Sequence, residues 1–446
     1  CIAMDVASPD LVNYDSKIGL RIPGDFDALF NEGCDPFGFM VDTLKEADIR
    51  VLANVRMNDH HGRPAYWTQW EQEHVDWSLS QDTGTRDWKA IGALRHMDYA
   101  IEGVRSYRLS IMKEIVSKFD VDGIQLDFGR TAPFVSDPKP ENGRFMTEYI
   151  RSVRTLLDDS NQSDNRKTLG VLLPWDIDFC SNEGLEVKRW VNEGLVDYIS
   201  PGEWYYSDWN IPQQAWIDMT KGTACQFYPF TPGNVSPYQD FEFGEPSALG
   251  ENNILDGAKI RAIADNFEAQ GSDGFAFYNF YTFDFGQLYP ELRKWVNPEE
   301  SKSLSRHYLN CRRLIYHATE REAYDLGLAF ERSALGAAGD EISLPFRFSS
   351  QVGAKRIVLR CAFIGAEAGD EIEVNVNGIT LDPIHSTKSN EGSTTGASPT
   401  IIWEGALKAS ILNSGQNTLQ LKLVKVSGDR STPIKVGEYE IFVDAD

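Results

Sequence analysis

The chain has 446 residues, 41% of them hydrophobic and 12% aromatic, with 11 tryptophans. That length exceeds one ordinary core and suits two domains. Against 43 basic residues stand 67 acidic ones, a net charge of -24, which repels phosphate backbones and anionic membranes and sets nucleic acid aside as a partner.

Six cysteines are scattered along the chain, at 1, 34, 180, 225, 311 and 361, with no CxxC or metal-knuckle spacing. Zinc fingers are thereby excluded, and buried thiols are expected in place of a disulfide framework. No run of about 20 apolar residues is present, so no transmembrane helix is expected. The chain opens directly in the strand-like run CIAMDV. A leader is expected to precede it, with a secreted, periplasmic or cell-surface location.

Strand-like and helical runs alternate over residues 1–297. The expected strands are CIAMDV (1–6), RVLANVRMN (50–58), ALRHMDYA (93–100), VDGIQLDF (121–128), LGVLLPWD (169–176), DYISPGEW (197–204), ACQFYPF (224–230) and DGFAFYNFY (273–281). Between them lie amphipathic segments such as VRSYRLSIMKEIVSKF and NGRFMTEYIRSVRTLLDD, with apolar residues recurring at three and four. Eight strands alternating with helices predict an α/β fold, a (β/α)8 TIM barrel over 1–297. A doubly wound sheet is the alternative, but no glycine-rich nucleotide loop follows the first strand. Residues 298–310 are charged and read as a linker. From 311 to 446, KRIVLRCAF, DEIEVNVNG, NTLQLKLVK and YEIFVDA alternate apolar and polar residues with period two. This predicts an antiparallel β-sandwich, whose strands resemble those of galactose-binding-like jelly rolls. No aromatic cluster marks a sugar platform there, so a structural domain is expected before a carbohydrate-binding module.

In a barrel, catalytic groups stand at the C-terminal ends of the strands. Alternation within FDVDGIQLDFGR (119–130) puts Gly123, Gln125 and Asp127 on the inward face, and Ile124, Leu126 and Phe128 toward the helices. Asp127 then sits at the upper end and is the expected catalytic carboxylate. Asp120 and Asp122 enter at the lower end, where a structural role is expected. The bland alternative for Asp127 is a buried carboxylate paired with Arg56 or Arg130.

Glycoside hydrolysis needs two carboxylates around one scissile bond. Glu203 follows the sixth expected strand and is flanked by Trp204 and Tyr205. An aromatic setting that raises a carboxyl pKa suits a general acid. Asp176, after Trp175, is its rival. The second strand ends in RMNDHHGR, which offers Arg56, Asn58, Asp59 and His60 for hydrogen bonding to a substrate. Adjacent histidines point apart on a strand and no HxH or HExxH spacing is present, so neither a metal nor another cofactor is expected. The eighth strand brings Tyr278 and Asn279 to the rim. Arg130, Trp175, Asp176 and Trp204 complete the expected substrate-binding set. The long connection 59–92 carries Trp67, Trp70, Trp77 and Trp88. They either stack on sugar faces or form a small core of their own.

RMNDHHG, LRHMDYAIEGVRSYRLSIMKEIVSKFDVDGIQLDFGR and EGLVDYISPGEW resemble the glycoside-hydrolase-like TIM-barrel families of bacterial polysaccharide degraders. In those, a YDVDGIxLDFMR segment forms the fourth strand and an RMND-H segment ends the second. The likeness covers most of 1–297 and implies that Asp127 is the fourth-strand carboxylate. The α-galactosidase-like retaining clan, by analogy, uses such an Asp as nucleophile. Phe119 stands where the pattern has Tyr, and Gly129 where it has Met, which leaves room for a wider pocket. The expected function is a retaining glycoside hydrolase of poly- or oligosaccharides, with Asp127 as nucleophile and Glu203 as acid/base. The rivals are a non-catalytic carbohydrate-binding barrel and a metal-dependent hydrolase using Asp59, His60 and Asp127.

Overall fold

The computed structural model describes residues 1–22, 24, 26–58, 68–79, 96–129, 132–160, 166–203, 210–233, 255–278, 301, 303–310, 334–349, 354–389, 400–428 and 432–445. Its contacts divide the chain into two units, residues 1–202 with 215–228, and residues 203–214 with 229–446.

The first unit is built on parallel strands β1 (Ile2–Ser8), β2 (Val51–Arg56), β3 (Gly123–Asp127), β4 (Thr168–Pro174) and β5 (Tyr198–Gly202). Each pairs with the one before it in the chain. The two-residue strand β6 (Gln226–Phe227) pairs in parallel with β5. Across these six strands spatial order follows chain order, and on the other side of β1 the two-residue strands Leu11–Val12, antiparallel to β1, and Leu20–Arg21 continue the sheet. Every residue of β2 and β3 is buried, as in a parallel sheet covered on both faces.

One expected strand is not formed over its described residues, 96–100. Of 93–100, the described residues make only an isolated bridge, Ser78 to Met97. Their backbone is used by the neighbouring loop instead. Leu79 N–H donates to His96 O at 2.7 Å, and Asp98 N–H to Trp77 O at 2.9 Å. β3 consequently pairs directly with β2, and Asp127 lies on the third parallel strand of the described chain and not on a fourth.

Helix α1 (Pro36–Glu46) starts with Asp35 as N-cap and proline in its first turn. A second helix, α2 (Gln69–Glu73), is a single short turn. In α3 (Glu102–Lys118) the buried stripe is Val104, Arg108, Ile111, Met112 and Ile115, the three-and-four spacing of a core-facing helix. α4 (Gly143–Asp159) buries Met146, Tyr149, Ile150, Val153 and Leu157 in the same way.

The charged member of the α3 stripe, Arg108, explains how the tryptophan-rich connection is anchored. Its guanidinium meets Asp10 at 2.9 Å and Glu71 at 3.2 Å, and all three side chains are buried. Burial alone disfavours the guanidinium charge, but the Asp10 and Glu71 carboxylates more than restore it. Thr68 and Glu71 form a reciprocal capping box on α2, and Thr68 Oγ1 donates to Asp10 at 2.8 Å. Trp70 stacks on Tyr107 at 3.8 Å. Trp77 packs on His74 at 4.3 Å and over Gly103, where a Cβ would stand 2.3 Å from its ring. Of the two alternatives for these tryptophans, the described pair forms a small core. Trp67 and Trp88 lie outside the described residues.

At the lower end of β3, Asp122 accepts from Val51 N–H and from Lys45 Nζ, each at 2.8 Å. Lys45 also lies 3.5 Å from Asp120. Both carboxylates thus have the structural role expected of them.

In the second unit, β7 (Phe230–Pro232) and β8 (Ala276–Tyr278) form a parallel pair. The rest is antiparallel, a six-stranded and a four-stranded sheet. In the larger, β13 (Ile434–Asp444) lies between β9 (Arg306–Asn310) and β11 (Arg356–Ile364). In the smaller, β10 (Glu341–Phe348) pairs with β12 (Gly415–Lys425). The period-two pattern holds, since Ile342, Leu344, Phe346 and Phe348 are buried between more exposed neighbours. Leu359 and Ile441 of the larger sheet share one core with Phe346 and Leu421 of the smaller. The chain is therefore mixed α/β with large sheets.

Helix α6 (Gly257–Gln270), capped by Asp256, adds Ala262 to that core. Asn266 Nδ2 donates to Arg347 O at 3.2 Å, and Arg306 meets Asp265 at 2.8 Å. Residues 306–310, within the segment expected to be a linker, are a strand of the larger sheet. Among the described residues, no helix is long and apolar enough to cross a membrane.

Candidate active site

One face of the parallel sheet in the first unit is polar. Register places Asp5 beside Asn54, Asn54 beside Gln125, Gln125 beside Gly170 and Gly170 beside Tyr198, a row across β1 to β5. Paired residues of parallel strands point to the same side, so these side chains can meet. Tyr198 donates its O–H to Gln125 Oε1 at 2.5 Å, and Gln125 Nε2 donates to Asn54 Oδ1 at 2.7 Å. Asn54 Nδ2 in turn donates to Asp5 Oδ1. The tyrosine reaches Gln125 only because β4 carries Gly170 between them. A Cβ there would stand 2.0 Å from the Tyr198 ring. Burial pushes the Tyr198 hydroxyl up well above its ordinary pKa, which keeps it a donor.

The next row toward the C-terminal ends of the strands places Arg56 beside Asp127, and Asp127 beside Leu172. Arg56 Nη2 donates to Asp5 Oδ2 at 2.5 Å. The Arg56 side chain is 7% exposed, against 36% for Asp5. Asp127 is only 1% exposed, and its Oδ1 accepts from Gly129 N–H at 2.9 Å, which turns the chain as it leaves β3. A register break between Asp5 and Ala7 marks the upper part of β1. Bulges of this kind re-aim side chains beside functional sites. The face thus brings together two carboxylates, one guanidinium, two amides and a phenol. Such a set carries donors and acceptors of the kind that bind hydroxyl-rich molecules.

The expected site residues divide as follows. Asp127 and Arg56 are brought side by side in the first unit. Asn58 is committed to the main chain, with Oδ1 accepting from Met97 N–H at 3.3 Å and Nδ2 donating to Pro133 O at 3.1 Å. Asp176 caps helix α5 (Ile177–Asn182), accepting from Phe179 N–H at 2.7 Å. Trp175 is buried, and its carbonyl accepts from Trp216 Nε1 at 2.9 Å. In the second unit Glu203 is buried, and Tyr278 packs 5.4 Å from Phe230. Asp59, His60, Arg130, Trp204 and Asn279 lie outside the described residues.

Asp5, Asn54 and Tyr198 were missed. Alternation within each strand is local, but placing Asp5 and Tyr198 on the same face as Gln125 needs the register between strands.

Residues 3–140 match the model of the family described as glycosyl hydrolase-like 10. This glycosyl-hydrolase-like stretch contains β1, β2 and β3, and with them Asp5, Asn54, Arg56, Gln125 and Asp127. The resemblance read from the sequence is thus met over that part of the chain. The glycosyl hydrolase DigH of Escherichia coli (strain K12) is 23% identical over 281 residues, 51% of this chain and 58% of that protein. The chain spans little more than half the length of the curated relatives it matches. Among solved structures, α-L-fucosidase isoenzyme 2 from Paenibacillus thiaminolyticus gives a TM-score of 0.39 at 12% identity, covering 60% of this chain and 38% of that one. The chitinase RmChi1 from Rhizomucor miehei gives 0.39 at 12% identity, covering 65% and 92%.

Proposed function

We propose that this chain is a secreted or cell-surface retaining glycoside hydrolase acting on a poly- or oligosaccharide. The observation that carries the reading is Asp127, a buried carboxylate at the C-terminal end of β3, inside the stretch that matches a glycosyl-hydrolase-like family. We read the chain-ordered parallel sheet as part of a (β/α)8 barrel running to residue 297. The two antiparallel sheets with their common core read as a β-sandwich.

Asp127 attacks the anomeric carbon while Glu203 protonates the departing glycosidic oxygen. The resulting glycosyl-enzyme ester is then hydrolysed by a water that gives its proton to Glu203. Arg56 lies beside Asp127, and its charge is matched by Asp5. With two carboxylates to one guanidinium, the face favours an uncharged sugar over a sulfated or acidic one.

The test is a screen against neutral, acidic and sulfated polysaccharides, with the anomer of the first product read by NMR. Retention and loss of turnover in Asp127→Asn, with oligosaccharide binding kept, are expected. An Asp127→Asn enzyme of normal activity removes the assignment. Binding without hydrolysis by the unaltered protein favours a carbohydrate-binding role.

A further inference from the structure

We propose that Asp5 is a positioning residue, which clamps the Arg56 guanidinium in place beside Asp127. The inference rests on the hydrolase reading for its catalytic consequence, but its structural basis is independent of that reading.

Three observations converge on Asp5. Its two oxygens have different partners, Oδ2 taking Arg56 Nη2 at 2.5 Å and Oδ1 taking the Asn54 amide. A carboxylate shared in this way has no rotational freedom, and charge-assisted bonds to it are about twice as strong as neutral ones. The Asn54 amide is not free to turn either. Its oxygen accepts from Gln125 at 2.7 Å, and the Gln125 oxygen accepts from Tyr198 at 2.5 Å. Every member therefore donates in one direction, from β5 toward β1. A flip of Asn54 would set donor against donor at Gln125 and acceptor against acceptor at Asp5, and a flip of Gln125 would set its oxygen against that of Asn54. Such linked bonds reinforce one another.

The third observation is where this clamp acts. Arg56 and Asp127 are register partners, so a guanidinium fixed at β2 has a fixed place relative to the carboxylate on β3. Arg56 is deeply buried while Asp5 is partly exposed. Asp5 is thus the more accessible member of the pair. Displacing a positioned group by about 1 Å can cost on the order of 100-fold in rate. Sites held this closely depend on the residues behind them.

The experiment uses the full chain labelled with 15N-arginine, comparing the unaltered protein with Asp5→Asn and Asp5→Glu. The first readout needs no substrate. The Arg56 side-chain N–H resonances are expected to be sharp and slowly exchanging in the unaltered protein, and broadened or lost in Asp5→Asn. The second readout is kinetic. Asp5→Asn is expected to lower kcat/KM by about 10- to 100-fold, mostly through kcat, and to add little to an Arg56→Lys change. Arg56 resonances unchanged in a folded Asp5 variant overturn the inference, as does additivity of the two changes in the double variant. If Asp5→Asn does not fold, Asp5→Glu answers the same question, because it keeps the charge and moves the carboxyl by one methylene. If the unaltered protein cleaves no glycan, the hydrolase reading falls, and the Arg56 resonances alone decide the role of Asp5.

Discussion

The hydroxyl of Tyr198 on β5 donates to the amide oxygen of Gln125 on β3 at 2.5 Å, passing over the strand between them at Gly170. The glycine is what permits the bond, since a Cβ at that position would overlap the ring. Gly170→Ala is therefore expected to push the tyrosine away and leave Gln125 short of a donor. A loss of roughly 1–3 kcal/mol is expected from overpacking, read by urea unfolding. Tyr198→Phe should lose less, because it removes the bond without the clash. Equal stability of Gly170→Ala and the unaltered protein would contradict this packing.

The Arg108 triad carries a larger expected effect. Arg108→Met keeps most of the side-chain volume but strands Asp10 and Glu71, both fully buried, without their cation. Breaking a buried pair on one side costs about 3–5 kcal/mol. The chemical denaturation midpoint should fall accordingly, and proteolysis should open the 68–79 stretch first. A fall below about 1 kcal/mol would mean that the carboxylates find other partners.

Asp122 gives the first unit an acid-sensitive lock. Burial pulls its pKa up, but Lys45 Nζ and Val51 N–H outweigh that and hold the carboxyl below its ordinary range. The folded chain then binds fewer protons there than the unfolded chain does. The contribution is full above the ordinary aspartate range near pH 4 and is lost as pH falls through the lowered folded value. Asp122→Asn should thus lose about 1–2 kcal/mol at pH 7 and converge with the unaltered protein toward pH 2. Denaturant midpoints at the two pH values check this. A gap that persists undiminished at pH 2 assigns the effect to something other than the ionised carboxylate.

In the proposed reaction Asp176 and Glu203 are the alternatives for the acid/base role, and Asp176 also caps α5. Asn caps a helix about as well as Asp, so Asp176→Asn should leave both the melting temperature and the kcat of any glycan cleavage close to those of the unaltered protein. Glu203→Gln should lower kcat by at least about 100-fold, the scale of general acid–base catalysis. The reverse pattern would move the acid to Asp176.

How much of this was legible beforehand depends on the kind of signal. Period two in FDVDGIQLDFGR sorted Asp127 from Ile124 and Leu126, and burial of all of β3 agrees with a covered parallel strand. Spacing in α3 and α4 predicted their buried faces. Over the described residues 96–100 the expected strand is replaced by pairing with a loop. Their main chain pairs with Trp77 and Leu79, partners that no local pattern announces. Asn58 and Asp176 carried the right residue types for a sugar site, yet both are committed to the backbone. Polar residues near a strand end have that second use, and only coordinates tell the two apart. Asp5 was overlooked because its significance lies in which strands are neighbours, a long-range fact.

Strand 306–310 forms the outer edge of the larger antiparallel sheet, beside 434–444. A shortened protein beginning at residue 311 would strip that neighbour away and uncover the main-chain donors and acceptors of residues 439–443, while Ile434 and Lys435 keep Leu335 and Ala334 as partners. Bare edges of this kind recruit other chains. Expressed alone, such a fragment would be prone to stick to copies of itself, and a cut placed before Asp256 would keep both the edge and the helix that packs beneath it.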